Sequence, residues 1–260
     1  MKTRIISAVI AFAIAIPLIL LGGQYFAIFI GVLALLGYKE IITLKKIDKN
    51  TPLLVKILGG ISLLLIVFAN YDNDLFLDIS YYRLLIPIIL LFVPTIFYKN
   101  KYKTETMFYL YGIIIFLGLG FNSLLFIRTD MLILIYLFAI TILGDTFAML
   151  FGMLIGRNKL IPSISPNKTI EGSVGGFLIA LIIPIIIYIN LIGDFSFNLL
   201  LVTALLAAIS QIGDLIFSKI KREHKIKDFS NIMPGHGGIL DRLDSILLVS
   251  IFYMILKVFL

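Results

Sequence analysis

Long uninterrupted apolar runs recur along this chain and constrain its fold more than any other feature. A helix needs roughly 20 residues to cross a hydrocarbon core ~30 Å thick, and nine runs approach or reach that length. They cover residues 5–22, 24–38, 53–70, 82–98, 107–127, 131–155, 173–193, 197–217 and 239–260. Since the apolar residues are continuous and do not alternate with polar ones, the runs predict membrane helices rather than barrel strands.

The composition supports an all-α polytopic membrane protein. Of the 260 residues, 60% are hydrophobic and 14% are charged. No linker or repeat divides the chain, so we predict one integral membrane domain, 1–260, with scaffold spans in 1–130 and a catalytic half in 131–260. Cysteine is absent, so a bound metal would need oxygen ligands or histidine.

Positive charge is distributed unequally between the connections that join the runs. Of the 22 Lys and Arg residues, 19 fall on one side of the predicted membrane, and Arg83, Arg128 and Lys257 fall on the other. The positive-inside rule then places the N-terminus in the cytoplasm and the C-terminus outside. We therefore attribute the net charge of +7 to topology and not to nucleic-acid binding. The connections 156–172 and 218–238 share the cytoplasmic face.

Asp145 lies in the middle of the sixth run, where a charge costs at least about 2.5–3.5 kcal/mol. Small residues recur every four positions beside it and predict a close helix contact. They are Gly144, Ala148, Gly152 and Gly156. We interpret Asp145 as lining a polar cavity, and the alternative is a buried, hydrogen-bonded carboxyl group.

The connection after the sixth run combines hydroxyl groups, a lysine and a glycine-rich helix entry. Ser165, Lys168 and Glu171 lie just before or within that entry, which is typical of an anion site at a helix N-terminus. The alternative is a helix cap formed by Ser165 or Asn167, with Glu171 in the first turn. That alternative leaves Lys168 unexplained.

Three carboxylates flank the last connection. Asp214 shares a helical stripe with Ser218 and with Lys221 or Arg222, and a polar stripe on a membrane helix must face protein or water. Asp241 and Asp244 stand at the entrance to the last run. Converging carboxylates suit a hard divalent cation such as Mg²⁺.

Cations and flexible backbone fill the space between these acids. The loop contains Lys227 and the stretch Pro234–Gly238, which includes His236. Acids that hold a metal, bracketed by cations that neutralise phosphates, favour triphosphate chemistry.

The stretch from Ser218 to Asp244 resembles the long signature of the phosphatidate cytidylyltransferases, also called CDP-diacylglycerol synthases. The matching residues are Ser218, Ile220, Lys221, Arg222, Lys227, Asp228, Ser230, Pro234, His236 to Ile239, and Asp241 to Asp244. The stretches Ser165–Gly172 and Asp145–Ala148 are also similar to the family. The resemblance covers roughly the C-terminal half.

This resemblance implies that CTP and phosphatidic acid react to give CDP-diacylglycerol and pyrophosphate, with the lipid phosphate itself as nucleophile. It also implies Mg²⁺, alone or with a second cation, a homodimer, and a cavity open to the cytoplasm. With it we predict four metal ligands, Asp145, Asp214, Asp241 and Asp244. We predict Asp214, Asp241, Lys221 and Arg222 as catalytic residues. The predicted substrate contacts are Ser165, Lys168, Glu171, Ser218, Lys227, His236 and Arg242.

Two other kinds of protein remain open from the residues alone. Another lipid-phosphate transferase would use similar groups, although the tightly spaced four-aspartate helix of CDP-alcohol phosphotransferases is not found. A cation-coupled transporter would also carry intramembrane carboxylates. Against it, the charges lie toward one face, and no inverted pair of broken helices is evident.

Overall fold

A computed structural model describes residues 2–69, 85–99 and 101–260, and most of them are helical. The helices are α1 (Lys2–Leu21), α2 (Gly23–Ile42), α3 (Lys45–Asn50), α4 (Leu53–Val67), α5 (Leu85–Phe97), α6 (Thr104–Ile127), α7 (Met131–Leu154), α8 (Ile170–Leu191), α9 (Phe197–Glu223) and α10 (Leu240–Leu256). A 3-10 helix, Lys257–Phe259, follows α10. Two strands, β1 (Lys159–Ile161) and β2 (Ser165–Thr169), form an antiparallel pair between α7 and α8 in the chain.

The apolar runs fold into helices, so the predicted all-α class is confirmed. Each run contains a helix whose described ends lie within a few residues of the predicted ones. Within the described ranges, five helices are long and apolar enough to cross a membrane, namely α2, α6, α7, α8 and α9. The β1–β2 pair is a finding that the sequence did not predict. The start of the fourth run, with Arg83, lies outside the described residues.

The helix α9 extends further than its apolar run. Hydropathy ends the run at residue 217, whereas α9 continues to Glu223. Lysine and arginine are good helix formers, and Lys221 and Arg222 in the last turn interact favourably with the negative end of the helix dipole. The stretch from Ser218 to Arg222 is therefore helical, and it belongs to the same rigid element as Asp214.

The chain forms two compact units. Unit 1 comprises Met1–Phe126 with Asp228–Asp241, and unit 2 comprises Ile127–Lys227 with Arg242–Leu260. The segment Asp228–Asp241 thus folds with the N-terminal helices. The predicted division into scaffold and catalytic halves stays a prediction.

In unit 1, α2 packs against α4, and α4 packs against α5. Gly59 of α4 faces Tyr38 of α2 so closely that a Cβ atom at Gly59 would overlap the phenol. The Tyr38 hydroxyl donates to the carbonyl of Lys56 at 3.2 Å. Asn122 of α6 donates to the carbonyl of Val67 at 2.8 Å, which satisfies one of the carbonyls that the end of α4 leaves without a helical partner.

In unit 2, the predicted stripe of small residues on α7 packs against α8. A Cβ atom at Gly176 would lie 2.5 Å from the carbonyl oxygen of Gly144, and one at Gly172 would lie 2.5 Å from that of Ala148. With Ala180, these α8 residues also recur every four positions. Both helices therefore present small residues at the seam, and their backbones approach closely.

Candidate active site

The hairpin of β1 and β2 leads directly into α8. Thr169 is the N-cap of α8, and its Oγ1 accepts the N–H of Gly172 at 3.1 Å. The alternative cap by Ser165 or Asn167 is wrong, because both residues lie on β2. Its placement of Glu171 in the first turn of the helix is confirmed. Because β2 ends at Thr169, α8 begins at Ile170, three residues before the apolar run that predicted it.

Glu171, which follows β2, forms hydrogen bonds with the residues that precede β1. Its carboxylate accepts the backbone N–H groups of Arg157 and Asn158 at 3.1 Å each, and the Asn158 side-chain amide at 2.9 Å. These bonds fix the path of the chain into α8. The predicted contact of Glu171 with substrate stays a prediction.

Lys168, at the end of the hairpin, forms an ion pair with Asp214 of α9. The two side chains are 25% and 24% exposed, so the pair is neither solvated nor fully buried. The structure thus brings together a predicted phosphate contact and a predicted metal ligand that lie far apart in the sequence.

Two further carboxylates face Asp214. Asp145 reaches the molecular surface despite its place in the middle of α7, and it accepts the Ser245 hydroxyl at 3.3 Å. The predicted polar cavity around it stays a prediction. Asp244 of α10 is buried and accepts the N–H of Ser245 at 2.8 Å. Both carboxylates lie within electrostatic range of Asp214. We call Asp145, Asp214 and Asp244 the acidic cluster.

Close packing of α9 against α10 brings a lysine to this cluster. A Cβ atom at Gly213 would lie 2.9 Å from the carbonyl oxygen of Asp244, so a larger residue would push the helices apart. Lys221 is only 8% exposed and interacts electrostatically with Asp244. An ammonium group at that burial needs an opposite charge. Ser218, one turn before Lys221, is also buried.

Arg222 points to the hairpin. Its Nε donates to the carbonyl of Ile164 at 3.2 Å, and its Nη1 donates to that of Ile226 at 3.0 Å. A guanidinium group has five N–H donors, and these bonds use two of them. The predicted phosphate contact of Arg222 stays a prediction. Lys227 and Arg242 are exposed, and their phosphate contacts also stay predictions.

In unit 1, the Asp241 carboxylate stabilises the loop formed by the segment Asp228–Asp241. Its Oδ2 accepts the N–H groups of Phe229 at 2.9 Å and Gly238 at 2.8 Å. Gly237 has φ +88°, and a Cβ atom there would lie 2.8 Å from the same oxygen. Glycine is required at this position because it alone tolerates both the dihedral angle and the close approach.

His236 contacts the first helix in the same unit. The Ser7 hydroxyl donates to the carbonyl of Pro234 at 3.0 Å and lies 2.8 Å from His236 Nδ1. A hydroxyl has one proton, so Ser7 cannot donate to both, and the direction of its bond to His236 depends on the histidine tautomer. Sequence reasoning missed Ser7, because one serine in an apolar run carries little signal.

Glu40 of α2 is a second residue that sequence reasoning missed. It is 2% exposed and accepts hydrogen bonds from Ser230 and from the start of α10. Its position at the end of an apolar run could have drawn attention to it. The neighbouring lysines, however, were interpreted only as determinants of membrane topology, and Glu40 was not considered separately.

The acidic cluster offers the oxygen donors that Mg²⁺ prefers. Among the residues that the structure describes, no three His, Asp or Glu side chains are arranged to hold a metal ion. The chemistry of the donors nevertheless fits, because a bound cation would favour the ionised form of carboxylates that lie this close together.

Comparison with known proteins gives consistent matches over nearly the whole chain. A model described as the cytidylyltransferase family matches residues 2–260. Phosphatidate cytidylyltransferases from Staphylococcus haemolyticus, Staphylococcus aureus and Staphylococcus saprophyticus are 37%, 36% and 35% identical to it. Each alignment covers 96% of this chain and 96% of the relative.

Proposed function

The chain belongs to the cytidylyltransferase family, and on that premise we propose how its site works. It transfers the cytidylyl group of CTP to phosphatidic acid, giving CDP-diacylglycerol and pyrophosphate. The observation that carries this conclusion is the match to phosphatidate cytidylyltransferases over 96% of both chains. The mostly helical, strongly apolar fold agrees with a lipid substrate.

The lipid phosphate supplies the nucleophile. One of its oxygens forms a bond to the α-phosphorus of CTP, and the bond from that phosphorus to the bridging oxygen of the β-phosphate breaks. Pyrophosphate leaves with the electron pair. Because the second ionisation of a phosphomonoester has a pKa of about 6, the attacking oxygen is already ionised at neutral pH. The protein therefore needs no nucleophile of its own.

Lys168 and Lys221 are proposed to hold the phosphates. Lys168 pairs with Asp214, and an incoming triphosphate would compete with that carboxylate for the ammonium group. Lys221, already buried, loses little solvation when it meets a phosphate. Both lysines would neutralise charge that grows on the leaving group during transfer.

The acidic cluster is proposed to hold Mg²⁺, alone or with a second cation, and the family resemblance adds Asp241. When bound, Mg²⁺ would neutralise the phosphate oxygens and assist the departure of pyrophosphate. Removal of Lys168 from Asp214 would free a carboxylate oxygen for this purpose.

We further propose nine membrane spans, a cytoplasmic N-terminus, an external C-terminus and a site facing the cytoplasm of the plasma membrane. The charge asymmetry supports this topology, the bacterial relatives support the location, and CTP is a cytoplasmic nucleotide. A homodimer is proposed from the family resemblance alone.

The central test uses purified protein in detergent with CTP, phosphatidic acid and Mg²⁺. We expect pyrophosphate release together with a lipid that carries cytidine, loss of both with EDTA, and recovery with excess Mg²⁺. Omission of phosphatidic acid is the matched control. No pyrophosphate in any condition, with dissipation of an ion gradient in liposomes, would favour the transporter instead.

A further inference from the structure

Glu40 is a buried carboxylate in the last turn of α2, outside the proposed reaction site. Its exposed fraction is 2%. A carboxylate at this burial is stable only if several hydrogen bonds replace the lost water. Its partners therefore show what it does in the fold.

Glu40 accepts hydrogen bonds from the segment Asp228–Asp241 of the same unit. Oε1 accepts the Ser230 hydroxyl at 2.6 Å and the Ile239 N–H at 2.8 Å. Oε2 accepts the Leu240 N–H at 2.9 Å. The first N–H groups of a helix have no partner within the helix, and α10 begins at Leu240. Glu40 therefore caps α10 from a helix 200 residues earlier.

The surfaces on both sides of this contact leave no space. A Cβ atom at Gly238 would overlap Glu40 Oε1, and one at Gly37 would lie 2.9 Å from Leu240 Cδ2. Glycine on each side thus lets α2 and the loop meet at hydrogen-bonding distance. The negative carboxylate also interacts favourably with the positive end of the α10 dipole.

We propose that Glu40 is a positioning residue for cytidylyl transfer, and this inference rests on the proposed function. Glu40 fixes Ile239 and Leu240, while Asp241, the next residue, fixes Phe229 and Gly238. The two carboxylates thus hold one loop from two sides. Without Glu40, the start of α10 would fray, and Asp241 would no longer be held in one orientation for the reaction.

The test compares E40Q with E105Q, a matched change at an exposed glutamate in the first turn of α6. Glutamine keeps the size of Glu40, but it removes the charge and turns one acceptor into a donor that faces an N–H group. We expect kcat to fall roughly ten-fold or more, the range for loss of a residue that orients a metal ligand, here the proposed ligand Asp241. KM for phosphatidic acid should change by less than about two-fold, and E105Q should match the wild type.

Hydrogen exchange supplies a measurement that does not depend on turnover. In E40Q the amides of Ile239 and Leu240 should exchange faster, while the amides of α4 and α7 exchange as in the wild type. G238A should show the same local pattern because its Cβ displaces the carboxylate. Its control is G112A, where a Cβ meets nothing within 4 Å.

A kcat for E40Q within about two-fold of wild type would overturn the inference. Faster exchange throughout unit 1 would also overturn it, because Glu40 would then support the whole fold. If the wild-type protein forms no CDP-diacylglycerol, the proposed function fails. The exchange of Ile239 and Leu240 then still decides whether Glu40 holds the loop.

Discussion

At the scale of single residues, the proposed mechanism depends on Asp214. This residue pairs with Lys168 from the hairpin and faces Asp145 and Asp244. An acid with both cationic and anionic neighbours can exchange one partner for another when a charged substrate arrives. The ion pair with Lys168 keeps its charge neutralised until then.

Asp214→Asn is expected to lower kcat by at least roughly 100-fold, because a neutral amide is a poor ligand for Mg²⁺ and does not hold Lys168. Pyrophosphate release measures the rate. Thermal unfolding followed by tyrosine fluorescence shows whether the variant is folded. Asp194→Asn, at an exposed loop position, is the matched control and should keep full activity. Retention of a tenth or more of kcat by Asp214→Asn would exclude Asp214 from the metal site.

At the scale of helices, the seam between α7 and α8 sets the position of Asp145. Gly144 of α7 and Gly176 of α8 let the two backbones meet. Larger residues would separate the helices and move the carboxylate away from Ser245. The small residues at this seam therefore help to determine where the Asp145 carboxylate lies.

Gly176→Ala is expected to destabilise the fold by about 1–3 kcal/mol, the usual range for overpacking. Its Cβ atom would lie 2.5 Å from a backbone oxygen that cannot rotate away. A fall in the midpoint of thermal unfolding in detergent measures the effect. Gly112→Ala provides the control, because the same change there meets open space and raises helix propensity by up to about 1 kcal/mol. Equal midpoints for the two variants would contradict the close seam.

At the scale of the whole molecule, the charge asymmetry predicts the orientation of the chain in the membrane. Nineteen of the 22 Lys and Arg residues fall on the side of the membrane that we assign to the cytoplasm. The absence of native cysteine allows a clean test, because any introduced thiol is the only one in the chain.

Lys225→Cys and Lys103→Cys are expected to resist a membrane-impermeant thiol reagent applied to intact cells, whereas Arg128→Cys and Asp194→Cys are expected to react. After the membrane is opened with detergent, all four thiols should be labelled, which controls for burial. Labelling of Lys225→Cys in intact cells would reverse the proposed orientation and place the site outside.

The sequence by itself determined the helical membrane class, the approximate helix bounds and the signature residues, because hydropathy and motif spacing are local properties of the chain. It also indicated the acids, since a charge in an apolar run is costly and needs a reason. The tertiary structure alone decided the partners: Lys168 with Asp214, Asp145 with Ser245, and Glu40 with the start of α10. These contacts join residues between 46 and 200 positions apart, and helix packing, which local patterns do not encode, determines which side chains meet.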